Sequence, residues 1–505
     1  MTSCFWVNSL CCYWYNYLLN RFNFQIYKNK RNIKVFNPGF LHLRTKLHTF
    51  TKTFDNMKKI LMTAALLACI FGCGGSDGNG PVNLPPAQKP DPENPGPQNP
   101  ENPSSTTPAT VTVGNPLPAW TEGCLDIHQI NTGRGESAFY ILPDGTTMLI
   151  DAAGSLLKTS DKPPTPSKPN DQITSGAVII DYVKAYMPAK CNGTLDYMLL
   201  SHFHGDHMGS WSTSVKKHAG GFYMNGYTEV GAEIPVAKFL DRGTRTNRKA
   251  SDMIDSGGQG NYDKFIAWAK KTNASMDERF IAGRDDQIVL KHTPEKYSTF
   301  SVRNIAANGD VWTGSGSTAI SQMPAADELM SWGADKEAAL PYENTLSCVM
   351  TISYGSFDYF CGGDIQYNGR SSYGYKDIEM PISKVVKKVE VMKASHHGTA
   401  NTNGKEILAA LKPDAIIIPV WRNVQPNPDT VKRMYDANSG CNIFTTNLTD
   451  DNKALLSNYL SKFKGTQGHV VVRVHPGGTK YYIYVLGDDD LNRTVKKIYG
   501  PYTCK

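Results

Sequence analysis

The cluster at residues 201–209, Ser-His-Phe-His-Gly-Asp-His-Met-Gly, is the feature that most constrains what this chain can fold into. The apolar run at 195–200 before it predicts a buried strand that ends in a loop. Imidazole and carboxylate groups bind zinc and related ions, and Gly205 gives a loop the freedom to turn several of them toward one point. Four potential metal ligands lie within six residues: His202, His204, Asp206 and His207.

Two further loops with ligand residues follow predicted strands later in the chain. The apolar segment at 357–361 runs into Gly-Gly-Asp at 362–364, and the segment at 389–393 leads into Ser-His-His-Gly at 395–398. Layered folds gather metal ligands in loops at strand ends, where a rigid scaffold holds them. Asp364 alone would be interpreted as a turn residue. In this order, we predict that it bridges two ions in a binuclear centre.

Short apolar segments that alternate with turns predict an α/β fold. Two hairpin-rich halves with helices between them favour two sheets covered by helices, a four-layer αββα sandwich. Helices are predicted at 177–187, 262–271 and 407–411. Strands are predicted at 127–130, 138–142, 147–150, 195–200, 287–290, 346–353, 357–361, 389–393, 415–420, 470–474 and 481–485.

Residues 57–73 have the pattern of an export signal. Lysines after Met57 are followed by about a dozen apolar residues, too few to span a bilayer stably, and then by small residues. Ile-Phe-Gly-Cys at 70–73 resembles the bacterial lipobox, which would make Cys73 the lipidated first residue of a mature lipoprotein. We therefore expect an exported protein, lipid-anchored to a bacterial membrane on its periplasmic or cell-surface face.

The other N-terminal segments are not predicted to belong to the folded domain. Because the signal starts at Met57, we interpret residues 1–56 as an upstream extension joined by a misassigned start codon. The alternative is a translated extension with an internal membrane anchor. Residues 74–118 are rich in Pro, Gly and Asn and predict a disordered tether. The folded domain is expected at 119–505.

The formal charge of +7 comes from the N-terminal segment. Residues 1–72 hold ten Lys and Arg and one acid, which leaves 43 basic against 45 acidic residues in the rest of the chain. This balance gives no support for a large basic nucleic-acid surface, although a local patch stays open. Six cysteines follow Cys73. Export would allow Cys348 and Cys361 to pair, but buried unpaired thiols are the favoured interpretation.

Three motifs in order resemble the metallo-β-lactamase superfamily: His-x-His-x-Asp-His at 202–207, Gly-Asp at 363–364 and His-Gly at 397–398. Other stretches resemble the hydrolase domain of ComEC-type DNA-uptake proteins and the phosphorylcholine esterases of bacterial surfaces. They are Gly-Arg-Gly-Glu-Ser-Ala at 133–138, Leu-Pro-Asp-Gly at 142–145, Leu-Ile-Asp at 149–151, Asn-Thr-Leu-Ser at 344–347 and Lys-Ala-Ser-His-His-Gly-Thr at 393–399. The resemblance covers about 123–435, with a divergent segment at 210–340.

This resemblance implies the αββα fold and a role for each ligand. His202 and His204 would hold one metal, and Asp206, His207 and His397 the second, with Asp364 as the bridge. His396 would lie behind the ligands or face the substrate. Many superfamily members have a third histidine on the first metal, for which the candidates are His218 and His292. Asn344 and Ser347 match the segment found at that stage in ComEC-like members, and Arg134, Asn344 and Thr399 are candidate substrate contacts.

The implied chemistry is hydrolysis assisted by two divalent ions, expected to be zinc, with manganese as the other choice. Metal binding would make a hydroxide available near neutral pH to attack phosphorus. Asp206 and His396 are the candidate catalytic residues, Asp206 chiefly as a ligand and His396 as a proton donor to the leaving group. We expect an exported phosphodiesterase that acts on small-molecule or surface-polymer phosphoesters.

Alternative functions stay open at this point. Nucleic acid is a less favoured substrate, because the chain after residue 73 is close to neutral and lacks the many transmembrane helices of ComEC-type channels. A β-lactamase or lactonase could use the same fold. A non-catalytic surface lipoprotein with a metal-stabilised fold is a different class. The sequence does not predict the oligomeric state.

Overall fold

The computed structural model describes residues 107–156, 162–243, 258–325, 328, 331, 341–367 and 374–505. They belong to one compact unit, 98–505, and the other unit, 1–97, lies outside the described residues. The predicted extension at 1–56, the signal at 57–73 with Cys73, and most of the tether also lie outside them. At the end of the predicted tether, Gly114 N–H donates to Val495 O (2.8 Å) and Leu117 is buried, so these residues pack on the folded body.

The first sheet joins strands from both ends of the described chain. Its order is β17-β16-β15-β1-β2-β3-β4-β5-β6. The strands are β1 Leu125–Gln129, β2 Ala138–Ile141, β3 Thr147–Ile150, β4 Leu195–Leu200, β5 Val236–Asp241, β6 Met276–Arg279, β15 His469–Val474, β16 Lys480–Leu486 and β17 Val495–Thr503. β3 to β6 are parallel neighbours, and the other pairings are antiparallel.

The second sheet has the order β14-β13-β12-β11-β10-β7-β8-β9. Its strands are β7 Phe300–Ala307, β8 Asp310–Trp312, β9 Ala319–Ser321, β10 Val349–Tyr354, β11 Phe357–Cys361, β12 Val391–Lys393, β13 Ala415–Ile418 and β14 Asn442–Thr445. β11 to β14 are parallel, and the hairpin partner β10 joins them to the antiparallel strands. The parallel strands of each sheet therefore end at a common edge, from which the ligand loops leave.

Helices cover the outer face of each sheet. The helices are α1 Ser175–Tyr186, α2 Gly205–Met208, α3 Tyr227–Glu233, α4 Gln259–Asn273, α5 Glu379–Ser383, α6 Lys405–Leu411, α7 Pro428–Ala437 and α8 Asp450–Leu455. Three buried clusters mark the layers: one between the sheets, one under α1, α3 and α4, and one under α5 to α7. None of these helices has the length and apolar character needed to cross a bilayer.

Alternation along the central strands produces these layers. In β4, Tyr197 and Leu199 face the core between the sheets, while Met198 and Leu200 face the helices. A strand buried on both faces reads as a continuous apolar run, as this one does. These layers confirm the predicted four-layer αββα sandwich.

The predicted strand at 287–290 is wrong. Side chains, not a neighbouring strand, satisfy the backbone of this segment and of its surroundings: Tyr197 OH bonds both Val289 N and Val289 O, and Gln287 Oε1 accepts from Ile281 N. The composition identified an apolar segment, but within the described residues it pairs with no strand, because side-chain hydrogen bonds take the place of a strand ladder. The six cysteines of the described chain are buried and unpaired, as favoured for Cys348 and Cys361.

Candidate metal centre

Asp151 directly follows β3 and fixes the start of residues 201–209, the histidine loop. Its carboxylate accepts hydrogen bonds from Ser201 N (2.7 Å), Ser201 Oγ (2.7 Å) and His207 Nδ1 (2.7 Å). β3 and β4 are parallel neighbours, so the two loops leave the sheet side by side. Since a carboxylate only accepts, His207 carries its proton on Nδ1 and presents Nε2 to the centre.

The same arrangement holds two other histidines. His202 Nδ1 lies 3.0 Å from Ser201 Oγ, whose own proton is directed to Asp151. His397 Nδ1–H donates to Pro419 O (2.7 Å). An Nδ1–H held by a fixed acceptor leaves the Nε2 lone pair free, which is the usual arrangement of a histidine that binds a metal.

Close backbone contact positions Asp206. Glu136 N–H donates to Asp206 O (2.8 Å), and a Cβ on Gly135 would lie 2.0 Å from that oxygen. Gly135 also has a φ of +129°. Only glycine meets both conditions, so the loop at 133–138 supports the histidine loop as well as resembling a motif.

A buried ion pair holds the outer side of the histidine loop. Arg242 donates from Nε and Nη2 to the Glu343 carboxylate (both 2.7 Å), and Glu343 Oε1 also accepts from Phe203 N (2.9 Å). The Arg242 guanidinium lies 4.8 Å from the centre of the Phe203 ring. Glu343 begins the short 3₁₀ turn Glu343–Leu346, so the same contact sets the position of Asn344.

Asp364, the predicted bridging residue, lies at the middle of the centre. Its Oδ2 is surrounded by four imidazole Nε2 atoms, those of His207 (3.0 Å), His397 (3.6 Å), His396 (3.8 Å) and His202 (3.9 Å). Ligands of a tetrahedral ion with bonds of about 2.0–2.1 Å lie about 3.3 Å apart. The observed spacing therefore matches a set of metal ligands.

The remaining predicted ligands adjoin this group. Asp206 Oδ2 lies 3.2 Å from His397 Nε2 and 3.9 Å from His207 Nε2. His204 Nδ1 lies 3.1 Å from His202 Nε2. The structure thus brings together all six residues predicted as ligands, from three loops on two sheets.

Within the described part of the chain, several buried polar atoms of the centre lack a hydrogen-bond partner. They are His207 Nε2, both Asp364 carboxylate oxygens and Asn344 Oδ1. Such atoms carry a desolvation cost unless something binds them. Glu136, His207, Asp364 and His397 also place one ligand atom each within 4.8 Å of one another. Nitrogen and oxygen donors with these orphaned atoms fit a divalent ion.

Glu136 and Lys393 form a buried pair beside the centre that the sequence did not identify. Lys393 Nζ lies 2.6 Å from Glu136 Oε2 and 3.6 Å from Asp364 Oδ1, and it donates to Gly363 O (2.5 Å). Burial raises the pKa of Glu136, and the Lys393 charge opposes this. The sequence signal that could have identified this pair is Lys393 on the buried strand β12, because a lone charge inside an apolar run needs a partner.

Charges in the centre set the protonation of its histidines. Burial alone would lower the pKa of His207, but Asp364 and Asp151 outweigh it and raise this pKa well above its usual value. Burial lowers the pKa of His202, and His207 adds to this effect. The environment of His207 therefore favours a positive charge, which a proton or a metal ion can supply.

The centre opens onto a cleft of about 750 Å³. His204, Asp206, Asn344, His396 and Thr399 line its metal side. Its outer wall includes Lys162, Asn401, Trp421, Arg422 and Gln425. Asn344 Nδ2 lies 3.2 Å from His396 Nδ1 and 3.3 Å from His396 Nε2, so these two candidate residues meet at the cleft wall.

Three residues considered from sequence do not line the cleft. Arg134 Nη1 donates to Gly133 O and Thr165 O (2.9 and 2.6 Å), so its guanidinium holds a loop. His218 stacks on Phe222 and accepts from Gly220 N at Nδ1. His292 lies near Cys191 and Asp196 at another part of the fold. Neither His218 nor His292 therefore supplies a third histidine to the first metal position.

No protein-family model matches the chain, and no curated protein matches it. Among solved structures, the chain is similar to the metallo-β-lactamase fold protein YhfI from Bacillus subtilis, with 10% identity over 64% of this chain and 97% of that one (TM-score 0.31). It is also similar to Zn²⁺-bound PqqB from Methylobacterium extorquens, with 10% identity over 64% and 98% (TM-score 0.29). A mutant of the CmlA β-hydroxylase shows 11% identity over 70% and 54% (TM-score 0.33). Likenesses this remote do not inform the chemistry of the site, which rests on its own residues.

Proposed function

We propose that this chain is an exported metal-dependent hydrolase that cleaves phosphodiesters. The observation that carries this proposal is the set of orphaned, buried ligand atoms around Asp364, at the base of an open cleft. A purely structural metal site would be closed on all sides by protein. Here His204, Asp206 and His396 face both the ligand group and the cleft, so a substrate could reach it.

Six ligands support a binuclear centre in the proposed assignment. His202 and His204 would hold one ion, and Asp206, His207 and His397 would hold the other. Asp364 would bridge them, because its Oδ2 lies within 3.9 Å of imidazoles from both groups. Zinc is the proposed metal, since imidazole and carboxylate donors suit it, and manganese is the alternative. When bound, such ions lower the pKa of water and stabilise negative charge on a substrate oxygen.

The chain's own residues would orient these ligands and guide the substrate. Burial lowers the pKa of His396 to about 4, and Asp364 only partly opposes it. His396 is therefore neutral at pH 7, which suits a hydrogen bond to the substrate better than the cationic acid role expected from sequence. Burial opposes ionisation of Asp206, but the neighbouring histidines His397 and His207 lower its pKa, which favours the ligand role.

The cleft wall favours an anionic substrate. Lys162 and Arg422 are the cations on it, and the amides of Asn344 and Asn401 offer neutral donors. The Arg422 guanidinium lies 4.2 Å from the centre of the Trp421 ring, which gives the wall an apolar surface beside a charge. A phosphodiester with an apolar substituent matches this combination, because the Trp421 ring already has the Arg422 cation beside it.

The test is hydrolysis of bis-p-nitrophenyl phosphate by zinc-loaded protein, beside p-nitrophenyl phosphorylcholine, single-stranded DNA, a chromogenic β-lactam and a lactone. We expect turnover of the small phosphodiesters that is lost on chelation and in His397→Ala. His475→Ala, a partly exposed histidine outside the centre, serves as the matched control and should keep full activity.

Two results would contradict the proposal in different ways. Turnover of the β-lactam or lactone with no phosphodiester cleavage would assign the same centre to a different reaction. Binding of zinc by the wild type with no turnover of any substrate would favour a non-catalytic surface lipoprotein. Export and lipidation at Cys73 are tested separately, by membrane fractionation of the wild type and Cys73→Ser.

A further inference from the structure

A second group of metal-ligating side chains lies at the other end of β4. Cys191, Asp196 and His292 place one ligand atom each within 4.8 Å of one another. His292 Nε2 is the meeting point, 4.0 Å from Cys191 Sγ and 3.9 Å from Asp196 Oδ2. At about 3.3 Å per strand residue, Asp196 is roughly 20 Å along the chain from the histidine loop.

The turn between β2 and β3, with the first residue of β3, contacts the side chains of Asp196 and Cys191 and the backbone of His292. Thr147 donates from N (2.8 Å) and Oγ1 (3.0 Å) to Asp196 Oδ2. Asp144 Oδ2 accepts from His292 N (2.7 Å), and Gly145 O lies 3.3 Å from Cys191 Sγ. Three separate parts of the chain therefore converge through contacts with one rigid turn, which is how a metal site is preorganised.

The spacing suits a tetrahedral ion that binds sulfur. Bonds of about 2.3 Å to sulfur and 2.0–2.1 Å to nitrogen or oxygen imply separations of about 3.6 Å between sulfur and nitrogen and about 3.3 Å between nitrogen and oxygen. The two measured separations exceed these values by about 0.5 Å, which small side-chain rotations remove. His292 and Asp196 are partly exposed, with 25% and 17% of their side chains accessible, so an ion can enter from solvent.

We propose that Cys191, Asp196 and His292 form a second metal site, separate from the catalytic centre, that binds one thiophilic divalent ion such as Zn²⁺. Three protein ligands leave a fourth position for water. On binding, the Cys191 thiol loses its proton to solvent and its sulfur bonds the ion. The ion ties the irregular segment that carries His292 to the end of the first sheet.

Co²⁺ titration of the full-length protein tests this site, because cobalt bound to a thiolate absorbs through charge transfer and the catalytic centre contains no cysteine ligand. We expect the band in the wild type, with about one Co²⁺ per chain contributing to it. The band should disappear in Cys191→Ser. In His292→Ala the apparent affinity for Co²⁺ should fall at least about ten-fold. Cys441→Ser, which removes another buried thiol, should leave it unchanged.

The variants also separate this site from loss of folding. Circular dichroism and phosphodiesterase activity should be the same in His292→Ala and the wild type, because His292 lies in neither the cleft nor the centre. A wild type without the charge-transfer band would overturn the proposal. So would a band that survives both Cys191→Ser and His292→Ala, since it would then arise from a cysteine elsewhere.

Discussion

Three residues at the centre have left-handed backbone without being glycine. They are Asp151 (φ 57°), His396 (φ 47°) and His397 (φ 55°). Each such conformation costs on the order of 1–3 kcal/mol and persists only where the surroundings enforce it. Here Asn403 holds the loop at 395–398 by accepting from Ser395 N and donating to Ser395 O (both 3.0 Å). The strain falls on residues that face the ligand group, which agrees with a functional centre.

The Lys393–Glu136 pair gives a test at the residue scale. Lys393→Met leaves the buried Glu136 carboxylate without its cation, so we expect the free energy of unfolding to fall by about 3–5 kcal/mol. Adding Glu136→Gln should recover most of that loss, because the uncompensated charge is removed. Urea unfolding in chelator measures both effects.

Lys432→Met is the control for this experiment. Lys432 and Asp436 form an exposed i,i+4 pair, and its removal should leave the free energy of unfolding nearly unchanged. If the double variant Lys393→Met/Glu136→Gln lost as much stability as the two single variants combined, the assigned coupling between the two side chains would be contradicted.

The sequence was sufficient to predict which residues meet at the centre, but not the contacts that hold them there. His202, His204, Asp206 and His207 stand within six residues, so their spacing carried the signal. The Glu136–Lys393 pair joins positions 257 residues apart by number, and no local pattern predicts that two buried charges will meet. The neutral state predicted here for His396 also depends on burial, which only the fold determines.

At the scale of elements, strands with strong apolar runs were predicted well. β2, β3, β4, β11 and the core of β15 and β16 agree with the sequence pattern within about one to two residues. The sequence pattern did not predict short or polar strands. An example is β6 Met276–Arg279, which is Met-Asp-Glu-Arg and exposed or half-buried. Its pairing with β5, not its own composition, makes it a strand.

Gly135 offers a test of how one loop supports another. In Gly135→Ala the new Cβ would lie 2.0 Å from Asp206 O, so the histidine loop must shift. We expect a loss of stability well above the cost of backbone strain alone, together with weaker zinc binding in a chelator competition assay.

Gly193→Ala separates the cost of backbone strain from the cost of a steric clash. Gly193 has φ +74° and open space around the position of a Cβ, so its replacement should cost only about 1–2 kcal/mol and leave zinc binding unchanged. Equal effects of the two substitutions would show that the close approach to Asp206 has no consequence for the centre.

His469, at the start of β15, predicts a pH dependence of stability. Asn131 N–H donates to His469 Nδ1 (3.0 Å), so the buried ring must be neutral, and burial lowers its pKa to about 3. The unfolded chain, with a histidine pKa near 6.5, binds more protons across this window. Stability is therefore lost as the pH falls from about 6.5 toward about 3.

His469→Asn keeps an acceptor for Asn131 and removes the titration. We expect the plot of unfolding free energy against pH, between about pH 4 and pH 6, to be shallower by up to about 1.4 kcal/mol per pH unit. The measurement is urea unfolding in chelator. The partly exposed His218→Asn should follow the wild type. An unchanged slope in His469→Asn would refute the role given to His469.

At the scale of the whole molecule, the centre joins the two sheets. Asp151 and the histidine loop leave the first sheet, whereas Asp364 and His397 follow β11 and β12 of the second. Ligands on both layers mean that an ion bound there crosslinks the sandwich. Metal binding to the folded state alone stabilises it by about 2.7 kcal/mol at a free ion concentration of 100 times Kd.

Chelation should therefore lower the thermal unfolding midpoint of the whole folded body in one cooperative step. Differential scanning calorimetry of zinc-loaded and chelator-treated protein measures the difference. His207→Ala should lose most of it, because this residue faces Asp364 at the shortest distance in the group. An unchanged midpoint in the wild type after complete removal of the metal would show that the ligand group does not link the layers.

The pairing of β1 with β15 also governs the order in which the molecule can be completed during synthesis. Residues 125–129 emerge from the ribosome early, but the strand that borders them spans 469–474, and β16 and β17 follow it. Until then one edge of β1 has no partner, and the N-terminal strands cannot finish their sheet. A nascent chain with this topology cannot complete its first sheet until β15 to β17 have been synthesised.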